Sequence, residues 1–154
     1  MAGFIRQFFS KYIESSPEAE DEVHEHSLHV ATAALLLEMM RADGTASSEE
    51  IERISQSVKR RFGLSEEESS EILHLADHEI SKSTGFYEFT SLLNKKLEYV
   101  QKVHIVEQLW EIAFADAMLS KYEEHIVRKI ADLLYVSHKD FIDAKLRVKK
   151  REEI

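Results

Sequence analysis

One acidic pattern occurs twice in this chain, at a constant separation, and it limits the folds open to it. Glu38-Met-Met-Arg-Ala-Asp43-Gly-Thr-Ala-Ser-Ser-Glu-Glu50 is echoed 73 residues later by Glu111-Ile-Ala-Phe-Ala-Asp116-Ala-Met-Leu-Ser-Lys-Tyr-Glu123. Each copy has a Glu, then Ala-Asp, then a Ser three residues ahead of a final Glu, with apolar runs of helical spacing on both sides. A long helix, an acidic turn and a second, capped helix would produce that layout. Two such units in one chain of 154 residues leave room for a single domain and little else.

Composition agrees with an all-α bundle. Four Gly and one Pro are too few for a chain of strands and tight turns. The apolar spacing predicts helices over about 3–14, 19–42, 47–62, 65–79, 86–96 and 99–117, then one from Ser120 or Glu123 and one from Ser137 toward Lys150. That makes seven to eight helices, arranged as two pseudo-symmetric helix hairpins. Leu28, Ala31, Leu35, Met39 and Ala42 form the expected buried stripe of the first long helix; Val103, Val106, Leu109, Trp110, Ala113 and Phe114 form that of the second. Ser47 with Glu50 and Ser65 with Glu68 have capping-box spacing. Phe62-Gly63-Leu64-Ser65 aligns with Leu134-Tyr135-Val136-Ser137 once one residue is removed from the second copy.

Charge and residue types narrow the function. With a net charge of −9 and no Lys or Arg from Tyr12 to Met40, the surface repels phosphate backbones and argues against nucleic-acid binding. With no Cys there is no disulfide, thiolate metal site or cysteine nucleophile; a cytoplasmic setting fits best. No Gly-rich phosphate loop or Gly-x-Ser-x-Gly elbow is present, so neither an organic cofactor nor catalysis is expected. Phe4, Ile5, Phe8, Phe9, Tyr12 and Ile13 are too short a run for a membrane span or a secretory signal. They suit an amphipathic helix packed on the domain, with peripheral membrane contact through residues 1–14 as the alternative.

The acidic turns admit two readings. In one, Glu50 and Glu123 are helix caps and nothing binds. That leaves Glu38 and Glu111 unexplained, because each falls near the negative end of a helix dipole, with Asp43 and Asp116 behind it. Arg41 and Lys121 are candidate internal partners. In the other reading, Asp43, Glu50, Asp116 and Glu123 are oxygen ligands of a divalent cation, and Glu38 and Glu111 are supplementary to them. Asp43-Gly44 to Glu50 matches only the second half of an EF-hand loop, so a standard EF-hand is rejected. A site completed by Glu38, by water or by the other repeat stays open. His24, His26 and His29 do not converge as zinc requires, and His74 with His78 lacks the zinc-protease pattern.

Taken in order, Ala34-Leu-Leu-Leu-Glu38, Arg41-Ala-Asp-Gly44, Glu50, Phe62-Gly-Leu-Ser65, Leu109-Trp-Glu111, Ala115-Asp116 and Glu123 resemble the TerB-like family of bacterial tellurite-resistance proteins over about residues 28–145. The resemblance implies an all-helical, non-enzymatic domain whose acidic residues bind a divalent metal, calcium before zinc. It also implies partner proteins in stress-response complexes, in the cytoplasm or at the inner face of the membrane. Ala117 stands where a Gly is expected after the second Asp, and residues 1–27 are an acidic extension outside the resemblance. A metal-independent scaffold that meets a basic partner is the competing expectation.

Overall fold

The computed structural model describes residues 3–13, 25–44, 46–80, 85–115 and 123–152, with the side chains at positions 3, 4, 43, 77–80, 85–87, 123, 124 and 152 excepted. The described residues form eight helices and no strand: α1 Gly3–Tyr12, α2 Glu25–Asp43, α3 Ser48–Phe62, α4 Glu66–Ile80, α5 Gly85–Lys96, α6 Tyr99–Ala115, α7 Glu123–Leu133 and α8 His138–Glu152. The all-α expectation holds. Of the predicted helices, residues 14, 19–24, 116, 117 and 120–122 lie outside the described residues.

α2 is the central element. The sequence predicts a stripe on one side, yet every residue from Val30 to Met40 is buried, while Ala42 at the end of the stripe is exposed. The difference is geometric: α2 packs mainly on α4, then on α6, α3 and α7. A helix enclosed on all sides is apolar all round and shows little one-sided pattern. The stripe expected for α3 is buried as predicted, at Ile51, Ile54, Val58 and Phe62.

α1 lies on the domain. Ile5, Phe8, Phe9 and Ile13 are buried, and Phe89 of α5 meets Phe8 and Phe9 edge-on with ring centroids 5.8 and 6.5 Å apart. Such edge-to-face contacts add to the area term. The apolar face that would have to enter a bilayer is therefore occupied. No helix among the described residues is long and apolar enough to cross a membrane.

The turn aligned in the sequence is built twice. Gly63 ends α3 at φ 66° and ψ 39°, and the next amide, Leu64 N, donates to Lys59 O at 3.0 Å. After α7, Tyr135 has φ 61°, and Val136 N reaches back the same five residues to Ala131 O at 2.9 Å. Phe62 and Leu134 before these turns are buried, as are Leu64 and Val136 after them. Gly takes the left-handed conformation freely, whereas a Tyr there costs about 1–2 kcal/mol. Tyr135→Gly is therefore expected to stabilise the chain by about 1 kcal/mol, once the looser unfolded state of Gly is counted. Thermal unfolding should show a rise of about 2–4 °C.

Candidate functional site

The first acidic turn joins α2 to α3. Gly44 leaves α2 at φ 73°, its amide donating to Met40 O at 3.3 Å. Ser47 then caps α3 in the predicted box: Glu50 N donates to Ser47 Oγ at 3.1 Å, and Ser47 N donates to Glu50 Oε1 at 2.9 Å. Beside the turn, Arg41 Nη1 donates to Ser48 Oγ at 3.4 Å. Glu50 is thus a cap residue whatever else it does. Glu38, one turn and a half before Gly44, is only 1% exposed. A carboxylate that deep carries a desolvation cost that something in its surroundings must offset.

The second turn differs. Glu111, the counterpart of Glu38, is half-buried, and Arg151 of α8 donates to its Oε2 at 3.0 Å. One helical turn earlier, Arg147 Nε donates to Glu107 Oε2 at 2.6 Å. Two arginines four residues apart on α8 thereby meet two glutamates four residues apart on α6, as i,i+4 neighbours on facing helices do. The acid that looked misplaced at the end of α6 has a cation supplied by the last helix.

Of the six candidate ligands, then, Glu38, Glu50 and Glu111 have described side chains, each in a different setting. The side chain of Asp43, all of Asp116 and the side chain of Glu123 lie outside the described residues. Among the described residues no three His, Asp or Glu side chains are placed to hold one metal ion.

Histidines of α2 and α6 are engaged in a polar network. Near the start of α2, His26 Nε2 lies 3.0 and 2.9 Å from the two carboxylate oxygens of Glu68, the capping-box residue of α4. His29 stacks on Phe62, centroids 4.2 Å apart. Glu25 gathers His104 and Gln108 from α6: His104 Nε2 is 3.0 Å from both its oxygens, and Gln108 Nε2 donates to Oε2 at 3.0 Å. Behind them, Gln108 Oε1 lies 2.6 Å from Thr32 Oγ1 in the core.

Charges in this network respond to one another. Burial alone would lower the His104 pKa, but the hydrogen bond and charge of Glu25, then those of Glu107, raise it above the ordinary value. Burial lowers that of His29, helped by the nearby imidazoles and opposed by Glu25. Burial would raise Glu25 and Glu68, yet both are lowered, Glu25 chiefly by His104 and Glu68 by the Ser65 amide and His26. His74 is exposed on α4, and His24 and the side chain of His78 lie outside the described residues.

The groove between α1 and α4, lined by Gln7, Phe8, Lys11, Ser70, Glu71 and His74, is bridged by Lys11. Its ammonium sits 2.8 Å from Glu67 and 3.4 Å from Glu71. That pairing ties α1 to α4.

Neither the curated proteins nor the solved structures yield a significant match. The family model described as tellurite resistance protein TerB matches residues 29–146. That range begins inside the first turns of α2 and ends on α8, so it takes in both acidic turns and leaves α1 outside. A match over most of the chain, with the described residues all helical, establishes that this chain belongs to the TerB family.

Proposed function

We propose that this TerB-family domain is a non-enzymatic binding module. It takes a divalent cation, calcium in preference to zinc, at the turn between α2 and α3, and it meets partner proteins in a stress or tellurite-resistance system. The observation that carries the reading is Glu38, 1% exposed near the C-terminal end of α2. There the helix dipole and burial both disfavour a carboxylate. An ion held by Asp43, Glu50 and Glu38 would reverse both effects, and an all-carboxylate donor set suits a hard cation. Asp116, Glu123 and Glu111 form the second candidate set. Ala117 replaces the turn Gly, so the second turn is the weaker of the two.

Support for a partner protein comes from charge. The net charge is −9, and the acids cluster in the stretch before α2, which favours a basic partner. The scaffold reading, in which metal plays no part, draws on the capping box that employs Glu50 and on the Glu111–Arg151 pair.

Thermal unfolding of the metal-stripped chain separates the two. If an ion binds the native state, calcium at about a hundredfold excess over its Kd stabilises by about 2.7 kcal/mol. On the scaffold reading there is no ion dependence, and calcium and a chelator give the same midpoint.

A further inference from the structure

Among the described residues four large apolar side chains are exposed, and three of them belong to one corner: Tyr99 at 45%, Val100 at 69% and Tyr135 at 76%. The fourth, Leu146, lies on the third turn of α8. At this corner the end of α5 and the start of α6 meet the end of α7 and the start of α8. Asn94 Nδ2 donates to Leu133 O at 3.0 Å. The Tyr99 hydroxyl donates to Asp140 Oδ2 at 2.6 Å and accepts from Ser137 N at 3.1 Å. Single exposed apolar side chains need no explanation, but a group of them at one place does.

The alignment of the two copies supplies a comparison. Where the second copy has Tyr135, Tyr99 and Val100, the first has Gly63, His26 and Ser27. The turn is built there on Gly63, and His26 meets Glu68 as Tyr99 meets Asp140. Turn and fastening therefore form without an apolar surface, so the fold itself does not call for one. Tyr135 also takes φ 61°, a conformation unfavourable to any residue with a Cβ. At 76% exposure its ring finds little packing within the chain. A backbone outlier that no internal packing supports points to a contact outside the chain.

Charge selects what covers it. The corner holds Lys95, Lys96 and Lys139 together with Glu98, Asp132 and Asp140, which leaves it with no net charge in a chain of −9. Two copies of such a chain repel over most approaches, and least where the local charge is zero. A strongly acidic or basic partner finds no net field there to draw it. Lys139 is paired with Asp143 and Asp140 with Tyr99, so the exposed Lys95, Lys96, Glu98 and Asp132 are the groups of the rim. A two-fold interface brings the same patch from both sides, and it can set the lysines of one copy against the acids of the other. We infer that Tyr99, Val100 and Tyr135 form the centre of a contact through which two copies of this chain make a two-fold dimer. Three apolar side chains from each copy are a small centre, so the dimer is transient, with a Kd of about 10 μM to 1 mM. None of this depends on cation binding at the acidic turn.

The test is a dilution series of the full chain from about 2 mM to about 20 μM, a span that brackets that Kd, followed by proton–nitrogen NMR. In the wild type the amides of residues 95–100 and 132–139 should shift with concentration along one binding curve, and transverse relaxation should be faster at the concentrated end. Tyr135→Gly and Val100→Ser, each taking the residue of the first copy, should weaken the association by about tenfold or more. Unfolding cannot mimic that loss, because Tyr135→Gly is expected to stabilise the fold and Val100 is exposed. Shifts and relaxation that do not change with concentration would overturn the proposal and leave the corner to a different protein. An association undiminished in Tyr135→Gly would overturn it equally.

Discussion

Replacing Glu38 with Gln is expected to abolish the calcium-dependent rise in stability, a loss of about 2.7 kcal/mol where calcium stands at a hundredfold excess over the wild-type Kd. Glu and Gln have nearly the same shape, so the packing of a side chain 1% exposed is kept and the charge is removed. Hard divalent cations bind carboxylate oxygen far better than amide oxygen in such a site. The check is thermal unfolding with calcium and with a chelator, for both proteins. Glu111→Gln serves as the comparison. It breaks a partly exposed ion pair with Arg151, a contact worth about 1 kcal/mol or less, and it should leave the calcium response of the first turn in place. If Glu38→Gln responds to calcium as the wild type does, Glu38 is no ligand.

Phe89→Ala should be the most damaging single change on the α1 side of the molecule, costing about 3–5 kcal/mol. The ring is fully buried and stands between Phe8 and Phe9, so truncation leaves a cavity where α1 meets α5. At about 2–4 °C per kcal/mol for a chain of this size, the midpoint of thermal unfolding should fall by on the order of 10 °C. The same variant decides where α1 resides. If α1 spent its time on a membrane surface, a cavity beneath it would cost the soluble fold far less. A loss under about 1 kcal/mol would therefore revive the peripheral membrane reading.

What the sequence made legible was mostly local. Ser47 with Glu50 and Ser65 with Glu68 form capping boxes because those contacts lie within one turn of chain, and Gly63 ends α3 for the same reason. The acidic turn at Gly44 and the core face of α3 followed from spacing, as did Val106, Leu109, Trp110 and Ala113 of α6, whereas Val103 and Phe114 are only half-buried. Contacts between distant helices did not. Glu111 looked misplaced because Arg151, 40 residues on, comes beside it only when α8 packs on α6. Of the cations beside the acids in sequence, Arg41 meets Ser48 and Lys121 lies outside the described residues.

The histidines of α2 show both sides of this. Helical spacing puts His26 and His29 on one face of α2, yet it could not reveal Glu68 or His104. The signal was nevertheless present in the repeat. Carrying the 73-residue offset back from Glu38 pairs His26 with Tyr99, and the alignment of Ser65 with Ser137 pairs Glu68 with Asp140. The repeat thus matches the positions of both contacts, while the contacts themselves come from packing.

The central claim, a cation at the first acidic turn, is tested most directly by titrating the metal-stripped chain with calcium and following amide shifts by proton–nitrogen NMR. The account predicts saturable shifts centred on Gly44 and reaching Glu38 and Glu50, smaller ones at Ala117, and none at His26, His29 or His104. Their loss in Asp43→Asn would complete the assignment. A spectrum that stays flat at millimolar calcium, the range of weak extracellular sites, would contradict it and leave the turn as a helix cap on a protein-binding scaffold.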